Sequence, residues 1–455
     1  MIPISRTMAK FARNLKFSEI PEEALKEAKR FLLDSIGCAL AACGNRDMEA
    51  AHRYIRDLGG KEQATIIGYG TSTNVANATF MNSLLIRALD YNDIYWEQDP
   101  SHPSDIIPAA LSPGEWLKRS GKDVLVGIVI GYELEMRLCN AAVPGIREIG
   151  WHHASLTQLV SPLVAGRMLD LTEDQMVSAV GISGSSHFTL GGVVAGALTN
   201  MKNTADPMAV EAGIRGALLA KQGYEGPEKL YDGKEGIFEV INRVKWDKRK
   251  LIEGLGREFI ITHCGYKAFP TEALTHQPIT ATCEVMEENS IDYKEVKEVV
   301  VETTTRGRDI LSDPSKYKPE TKETADHSLP YCIACAIVKG NVLLSDFEEG
   351  ALSDRRVRSI LPYIKVHANP QIDSLFPRVK RAIVTIKTDR GEFTKVEDYA
   401  KGRPQRPLSD EELIDKFKAN AGGKLSKEDI SQLVEETMAL ESIGDIQRYI
   451  KRRLT

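Results

Sequence analysis

Nowhere in this chain do about 18 apolar residues run together, the length a membrane-crossing helix needs, so no spanning segment is expected. Charge of one sign is also missing. With 59 basic and 64 acidic residues well mixed and a net charge of −5, there is no electrostatic footprint for nucleic acid or an anionic membrane. The basic run Arg448 to Arg453 is too short to alter that. The opening Met-Ile-Pro-Ile-Ser-Arg lacks the charged-then-apolar layout of a signal peptide. The 7 cysteines are odd in number, scattered, and several lie among small apolar residues, as buried free thiols do. A reducing, cytoplasmic setting is the expectation.

The usual nucleotide, protease and hydrolase signatures are absent too. There is no G-x-x-x-x-G-K-[ST], H-E-x-x-H or G-x-S-x-G, and Gly68-Tyr-Gly70 lacks the third glycine and strand-to-helix context of a dinucleotide site. Cys332-Ile-Ala-Cys335 has C-x-x-C spacing, but it lies in an apolar helical run without a second pair, which argues against a zinc or iron–sulfur site.

What the chain does have is 42% hydrophobic and 27% charged residues over 455 positions, the make-up of a globular enzyme of two domains or one with an insertion. Helical periodicity runs through most of the first 260 residues. Helices are predicted near 18–43, 47–58, 74–89, 106–118, 122–140 and 156–168, with 64–67 a short strand or extended link. Thr172-Glu-Asp-Gln175 is a capping box opening the next helix, and Pro207 is taken to start another that stops at Gly223. Then the texture changes. Val296–Thr304, Arg381–Thr388 and Glu392–Glu397 read as strands, the last two joined by Asp389-Arg-Gly391, with helical stretches near 327–340 and 346–361 between them. After a second capping box, Ser409-Asp-Glu-Glu412, helices return. An α+β segment, roughly 266–402, is therefore read as an insertion, with domain one built from 1–265 and 403–455.

One polar interruption stands out within the helical part. From Arg87 to Ala110 an apolar pattern breaks into acids, aromatics, prolines and His102, placing Asp90, Asn92, Asp93 and His102 where burial can shift their proton affinities. The competing explanation is a surface loop with helix caps. Other polar clusters follow. His152 and His153 end a loop and precede a helix, where they could be simple entry residues. Lys202 lies before the helix expected from Pro207, where amide groups and a lysine could hold an anion. Lys267 to His276 sits at the presumed domain junction, and Thr324 to Tyr331 runs into a helix that Asp326 or Ser328 could cap. Carboxylates, histidines, lysines and a tyrosine on several loops suit proton transfer on an anionic substrate without a cofactor.

Taken together the clusters resemble the MmgE/PrpD family, which includes 2-methylcitrate dehydratase, cis-aconitate decarboxylase and iminodisuccinate epimerase. The motifs are Ala88-Leu-Asp-Tyr-Asn-Asp93 with His102-Pro-Ser, Gly150-Trp-His152, Met201-Lys202 with Gly213 and Gly226-Pro227, Lys267-Ala-Phe-Pro270 with His276, and Ala325-Asp-His-Ser-Leu-Pro-Tyr331. The resemblance implies a mainly α fold: a large all-helical domain from the N- and C-terminal segments plus a smaller α+β lid. It also implies a metal-free, cofactor-independent homodimer with a cleft between its domains, acting on a small di- or tricarboxylate. The His102-Pro-Ser-Asp105 loop, Glu225-Gly-Pro227 and Gly233-Lys-Glu-Gly236 resemble the dehydratase branch, while Ile94 stands where decarboxylase-type members carry threonine. On that resemblance Asp90 and His102 form the proton-transfer pair and Tyr331 serves the leaving oxygen. His152, Lys202 and Lys267 grip carboxylates, and Asn92, Asp93 and His276 complete the binding set.

Overall fold

The computed structural model describes residues 2–186, 188–195, 198–348 and 350–455. The chain divides into two compact units: Met1–Gly196 with Asn200–Cys264 and Ser409–Thr455, and Gly265–Leu408 with Ala197–Thr199. The fold is mainly α, with a smaller α+β part.

The first unit is a stack of helices: α1 (Ile4–Asn14), α2 (Glu22–Ala42), α3 (Arg46–Leu58), α4 (Val75–Arg87), α5 (Ile107–Trp116), α6 (Gly121–Ala141), α7 (Ala154–Met168), α8 (Glu173–Gly184) and α9 (Met201–Lys221). Helix α2 begins after Pro21 with Glu22 and Glu23 in its first turn, where acids complement the dipole, and buries Ala24, Ala28, Phe31, Leu32 and Ile36. Helices α4, α6 and α7 are buried on nearly every side, so their polar residues must find partners inside the protein, whereas α9 keeps an exposed stripe through Met201, Met208, Arg215 and Leu219. Helices α7 and α9 approach closely because Gly213 faces Ser161: a Cβ there would stand 2.0 Å from Ser161 Oγ.

Capping chemistry sets several boundaries. Thr172 Oγ1 accepts from Gln175 N at 3.2 Å while the Gln175 side chain accepts from Thr172 N at 2.9 Å, and Ser409 and Glu412 do the same at the later helix Asp410–Ala421. That helix, with Lys427–Met438 and Ile446–Arg453, packs in the first unit, against α2 and α5.

In the second unit a four-stranded sheet runs in the order Gly391–Glu397, Ala382–Thr388, Glu298–Thr303, Ile364–Ala368. Its first two neighbouring pairs are antiparallel and the last is parallel. Val299 and Val301 with Ala382, Val384 and Ile386 point to the buried face, against which the helices His276–Glu288 and Leu329–Lys339 pack. The parallel pair needs a long crossover, and the Leu329–Lys339 helix lies within it.

Several elements depart from the sequence reading. Helix α1 was not anticipated. Ile364–Ala368 is a strand whose register with Glu298–Thr303 no local pattern announces. The stretch 346–361 is not one helix: turns at Leu344–Phe347 and Ala351–Ser353 precede a short helix, Arg355–Ile360. Pro207 does not open α9 but sits inside it, after Met201. An internal proline removes one helical hydrogen bond and costs about 3 kcal/mol in isolation; here the packing of α9 against α4, α7 and α8 outweighs it.

Candidate active site

The polar interruption after α4 is buried, not a surface turn. Helix α4 ends at Arg87, and three residues later Asp90 takes a left-handed backbone conformation, φ 51°. Few residues other than glycine do so, and such strain persists only where surrounding contacts enforce it. They do: the Asp90 carboxylate pairs with Arg87 on one side and with Lys202 Nζ, at 3.1 Å, on the other. Arg87 also reaches Asp105 at 3.6 Å.

A tight hairpin, Tyr95–Trp96 paired with Pro100–Ser101, folds the chain back so that His102 meets Asp93. His102 Nδ1 donates to the Asp93 carbonyl oxygen at 2.5 Å. A carbonyl only accepts, so the neutral ring carries its hydrogen on Nδ1 and leaves Nε2 unprotonated. Asn92 Nδ2 donates to Ser104 Oγ (2.9 Å) and Asp105 Oδ1 (3.0 Å), while the Asp93 carboxyl accepts from Ser104 Oγ (2.6 Å) and Ser104 N (3.1 Å). Asn92 and Asp93 therefore brace the loop.

Lys202 lies in the first turn of α9 itself, because that helix begins earlier than the sequence suggested. The loop Ile146–Ile149 and the left-handed Gly150 deliver His152 and His153 to the start of α7. His152 Nδ1 accepts from Ala154 N at 3.2 Å, so its neutral ring carries hydrogen on Nε2, the opposite tautomer to His102. The His152 and His153 ring centroids are 3.9 Å apart, and those of His102 and His153 are 5.4 Å apart. His153 Nε2 lies 3.2 Å from Asp206 Oδ2. Thr157 Oγ1 contacts both Asp206 Oδ1 (3.0 Å) and Glu135 Oε1 (2.7 Å), and Ser101 also donates to Glu135.

Burial sorts the charges of this network. It pushes the Asp93 carboxyl up to about 6 and Glu135 up to about 8, and with Asp206 nearby it raises Asp105 well above the usual carboxylate range. Burial also opposes ionisation of Asp206, but His153, His152 and Arg87 outweigh it and hold that carboxyl far down. His152 and His153 are lowered, chiefly by burial, with Asp206 opposing that shift. Thr157 has a single hydrogen for two carboxyls, and a protonated Glu135 resolves the shortage by donating itself.

The result is a buried polar cluster with two cations, Arg87 and Lys202, imidazoles of opposite tautomer and the carboxyls of Asp90 and Asp206. Such a cluster can hold carboxylate groups and move a proton between carbon and nitrogen. Among the described residues, His152, His153 and Asp206 are the group able to hold a metal ion, each offering one ligand atom within 4.8 Å of the others. In this arrangement the Asp206 carboxylate is already engaged by His153.

The second unit carries the remaining predicted residues. Lys267 Nζ donates to the Thr271 carbonyl at 3.0 Å, and His276 Nε2 lies 3.4 Å from the same oxygen, its ring edge-on to Phe269. Tyr331 is wholly buried, and its hydroxyl donates to the Asp346 carbonyl at 2.7 Å. Ser328 caps the Leu329–Lys339 helix, accepting from Tyr331 N at 3.0 Å. His187, within the small-residue stretch 184–192, lies outside the described residues.

Arg87, Asp105, Glu135, Thr157 and Asp206 were not singled out from sequence, and His153 was noted only beside His152 at a helix entry. Glu135 left a signal, one of two acids with Glu133 in the buried part of α6, and Asp206 sits in the Met201–Pro207 stretch beside the lysine that drew attention.

Two family models match along the chain. The MmgE/PrpD N-terminal domain matches residues 6–248 and the MmgE/PrpD C-terminal domain residues 269–440. A cis-aconitate decarboxylase-like protein of Aspergillus oryzae is 26% identical over 98% of this chain and 96% of its own length. The human cis-aconitate decarboxylase is 24% identical over 97% of this chain and 92% of its own. The 2-methylcitrate dehydratase of Salmonella typhi is 25% identical over 86% of this chain and 84% of its own. Matched in order by both halves of that profile, the chain belongs to the MmgE/PrpD family.

Proposed function

We propose that the protein is a cofactor-independent lyase that eliminates water from a hydroxy-tricarboxylate, 2-methylcitrate giving cis-2-methylaconitate. The observation that carries this reading is that His102 and His152, both packed against His153, hold opposite tautomers in the unit that also contains the buried Asp90–Lys202 ion pair. The hydrogen to be removed lies next to a carboxylate and is weakly acidic. A base must be positioned, and cations must stabilise charge building on the carboxylate. His102 Nε2 takes the proton from carbon, the electron pair forms the double bond, and the hydroxyl leaves as water with a proton given by the Tyr331 hydroxyl, which solvent restores. His152 Nε2–H and Lys202 bind carboxylates. Asp90, clamped by two cations, holds Lys202 and Arg87 in place as His102's partner in the pair.

Lys267 and His276 are assigned to substrate carboxylates on the resemblance of the Lys267–Pro270 segment. Tyr331 is assigned to the leaving oxygen on the same ground, a role in which its hydroxyl must release the Asp346 carbonyl. A cytoplasmic homodimer belongs to the proposal, supported by the family resemblance and the free cysteines; light scattering on the purified protein tests the dimer.

A second reading, decarboxylation of cis-aconitate or a related acid, is favoured by one observation. The decarboxylase relatives match 97–98% of the chain, the dehydratase relatives 86–90%, at similar identity. It needs charge stabilisation beside a carboxylate in the same way, but releases carbon dioxide and places a proton on carbon. Incubation with 2-methylcitrate, citrate and cis-aconitate in deuterated water, followed by NMR, separates the two. An alkene without carbon dioxide supports dehydration, carbon dioxide with deuterium on carbon supports decarboxylation, and no turnover of any acid overturns both.

A further inference from the structure

A buried ion pair lies behind the candidate site, and the reaction as drawn above does not use it. Lys416, on the Asp410–Ala421 helix near the end of the chain, points into the first unit and pairs with Asp34 of α2 at 2.7 Å. Its Nζ also donates to the Tyr91 carbonyl at 2.8 Å and lies 3.9 Å from the centroid of the Tyr91 ring. Both charged side chains are almost fully enclosed, at 5% and 2% exposure. Burial favours the neutral forms of both, and Asp34 counters it strongly enough to keep the lysine charged.

Such a pair is a poor device for stability, because the desolvation of two ions consumes most of their attraction and an apolar pair of the same volume does as well. What an apolar pair cannot supply is a directed donor to one chosen carbonyl. Tyr91 follows Asp90, the residue held at φ 51°, and precedes Asn92 and Asp93, which are tied to Ser104 and Asp105. Ser104 and Asp105 hold the downstream end of the segment and Lys416 its upstream end.

We propose that Lys416 is a positioning residue for the active site: by fixing the Tyr91 peptide it holds Asp90 in the left-handed conformation that joins Arg87 to Lys202. The C-terminal helices thereby contribute to catalysis without touching substrate. This rests on the function proposed above for its kinetic readout. Small displacements of positioned groups cost as much as a hundredfold in rate.

The test compares the wild type with Lys416→Met, Lys416→Arg and the double variant Asp34→Leu/Lys416→Met. The single Met variant strands Asp34 and is expected to lose both thermal stability and turnover. The double variant removes both charges and is expected to regain stability while kcat stays at least tenfold down, with faster amide hydrogen exchange in a peptide covering residues 88–95. Lys416→Arg, which retains a charge and donors, is expected to keep more activity than the double variant. Recovery of both stability and kcat in the double variant, with unchanged exchange at 88–95, overturns the proposal. If the wild type turns over none of the acids, the functional reading has failed and the exchange measurement alone decides the role of Lys416.

Discussion

Lys202 Nζ and Asp90 Oδ2 stand 3.1 Å apart in the interior of the first unit, joining the first turn of α9 to the loop that follows α4. Neither residue is exposed, and Asp90 pairs with Arg87 as well. Replacing Asp90 with Asn leaves Lys202 short of its counter-ion. The expected loss is about 3 kcal/mol of stability, the scale of breaking a buried pair, together with roughly a hundredfold or more in kcat/KM. Thermal denaturation and steady-state kinetics check both; near-normal turnover would remove Asp90 from the site.

His102 is held by a backbone carbonyl, which sets its tautomer without adding a charge. His102→Gln keeps some hydrogen bonding but has no proton acceptor of comparable basicity. Turnover is expected to fall about a hundredfold or more, within the range general base catalysis contributes. Exchange of the substrate's carbon-bound hydrogen with solvent deuterium should be lost in parallel. Retained exchange would assign the base elsewhere.

Glu135 supplies a pH test. Its carboxyl is pushed up to about 8 by burial, against an ordinary value of 4.5, so the folded protein binds more protons than the unfolded chain between those values. Stability from this group is present below pH 4.5 and lost as pH rises through 8. Glu135→Gln, neutral at every pH, is expected to flatten the fall in Tm between pH 6 and 9 relative to wild type. Parallel Tm curves for the two proteins would contradict the assignment.

The Tyr331 hydroxyl lies on the Asp346 carbonyl. Tyr331→Phe leaves that buried acceptor short of a donor, at an expected cost of about 1–2 kcal/mol. Denaturant titration measures this loss and kinetics the other: a fall in kcat of a hundredfold with substrate bound normally would mean that the hydroxyl moves to the leaving oxygen.

Gly213→Ala is expected to cost about 1–3 kcal/mol, as overpacking does, since the added carbon meets Ser161 Oγ and the adjoining α7 backbone. A Tm unchanged within error would show that α7 and α9 can part without loss.

Much of the first unit was legible because helical periodicity is local: α2, α4, α6 and α7 follow from apolar spacing, and the Thr172 and Ser409 boxes from adjacent side chains. The two-residue turn between Thr388 and Gly391 was equally local. Pro207 misled because a proline's local preference was outweighed by the packing of α9 against α4, α7 and α8, and Ile364–Ala368 escaped because parallel pairing is set by a partner far along the chain.

For the site, sequence by itself determined which residue types were present and that Asp90, Asn92, Asp93, His102, His152 and Lys202 lay in polar breaks among apolar helices. It could not say which of them meet. Only the tertiary structure decided that Lys202 pairs with Asp90, that His102 and His152 hold opposite tautomers, and that Glu135 and Asp206 lie behind them with opposite proton affinities. The reason is physical: ion pairing and desolvation depend on distance and enclosure in three dimensions, and neither is a property of neighbours along the chain.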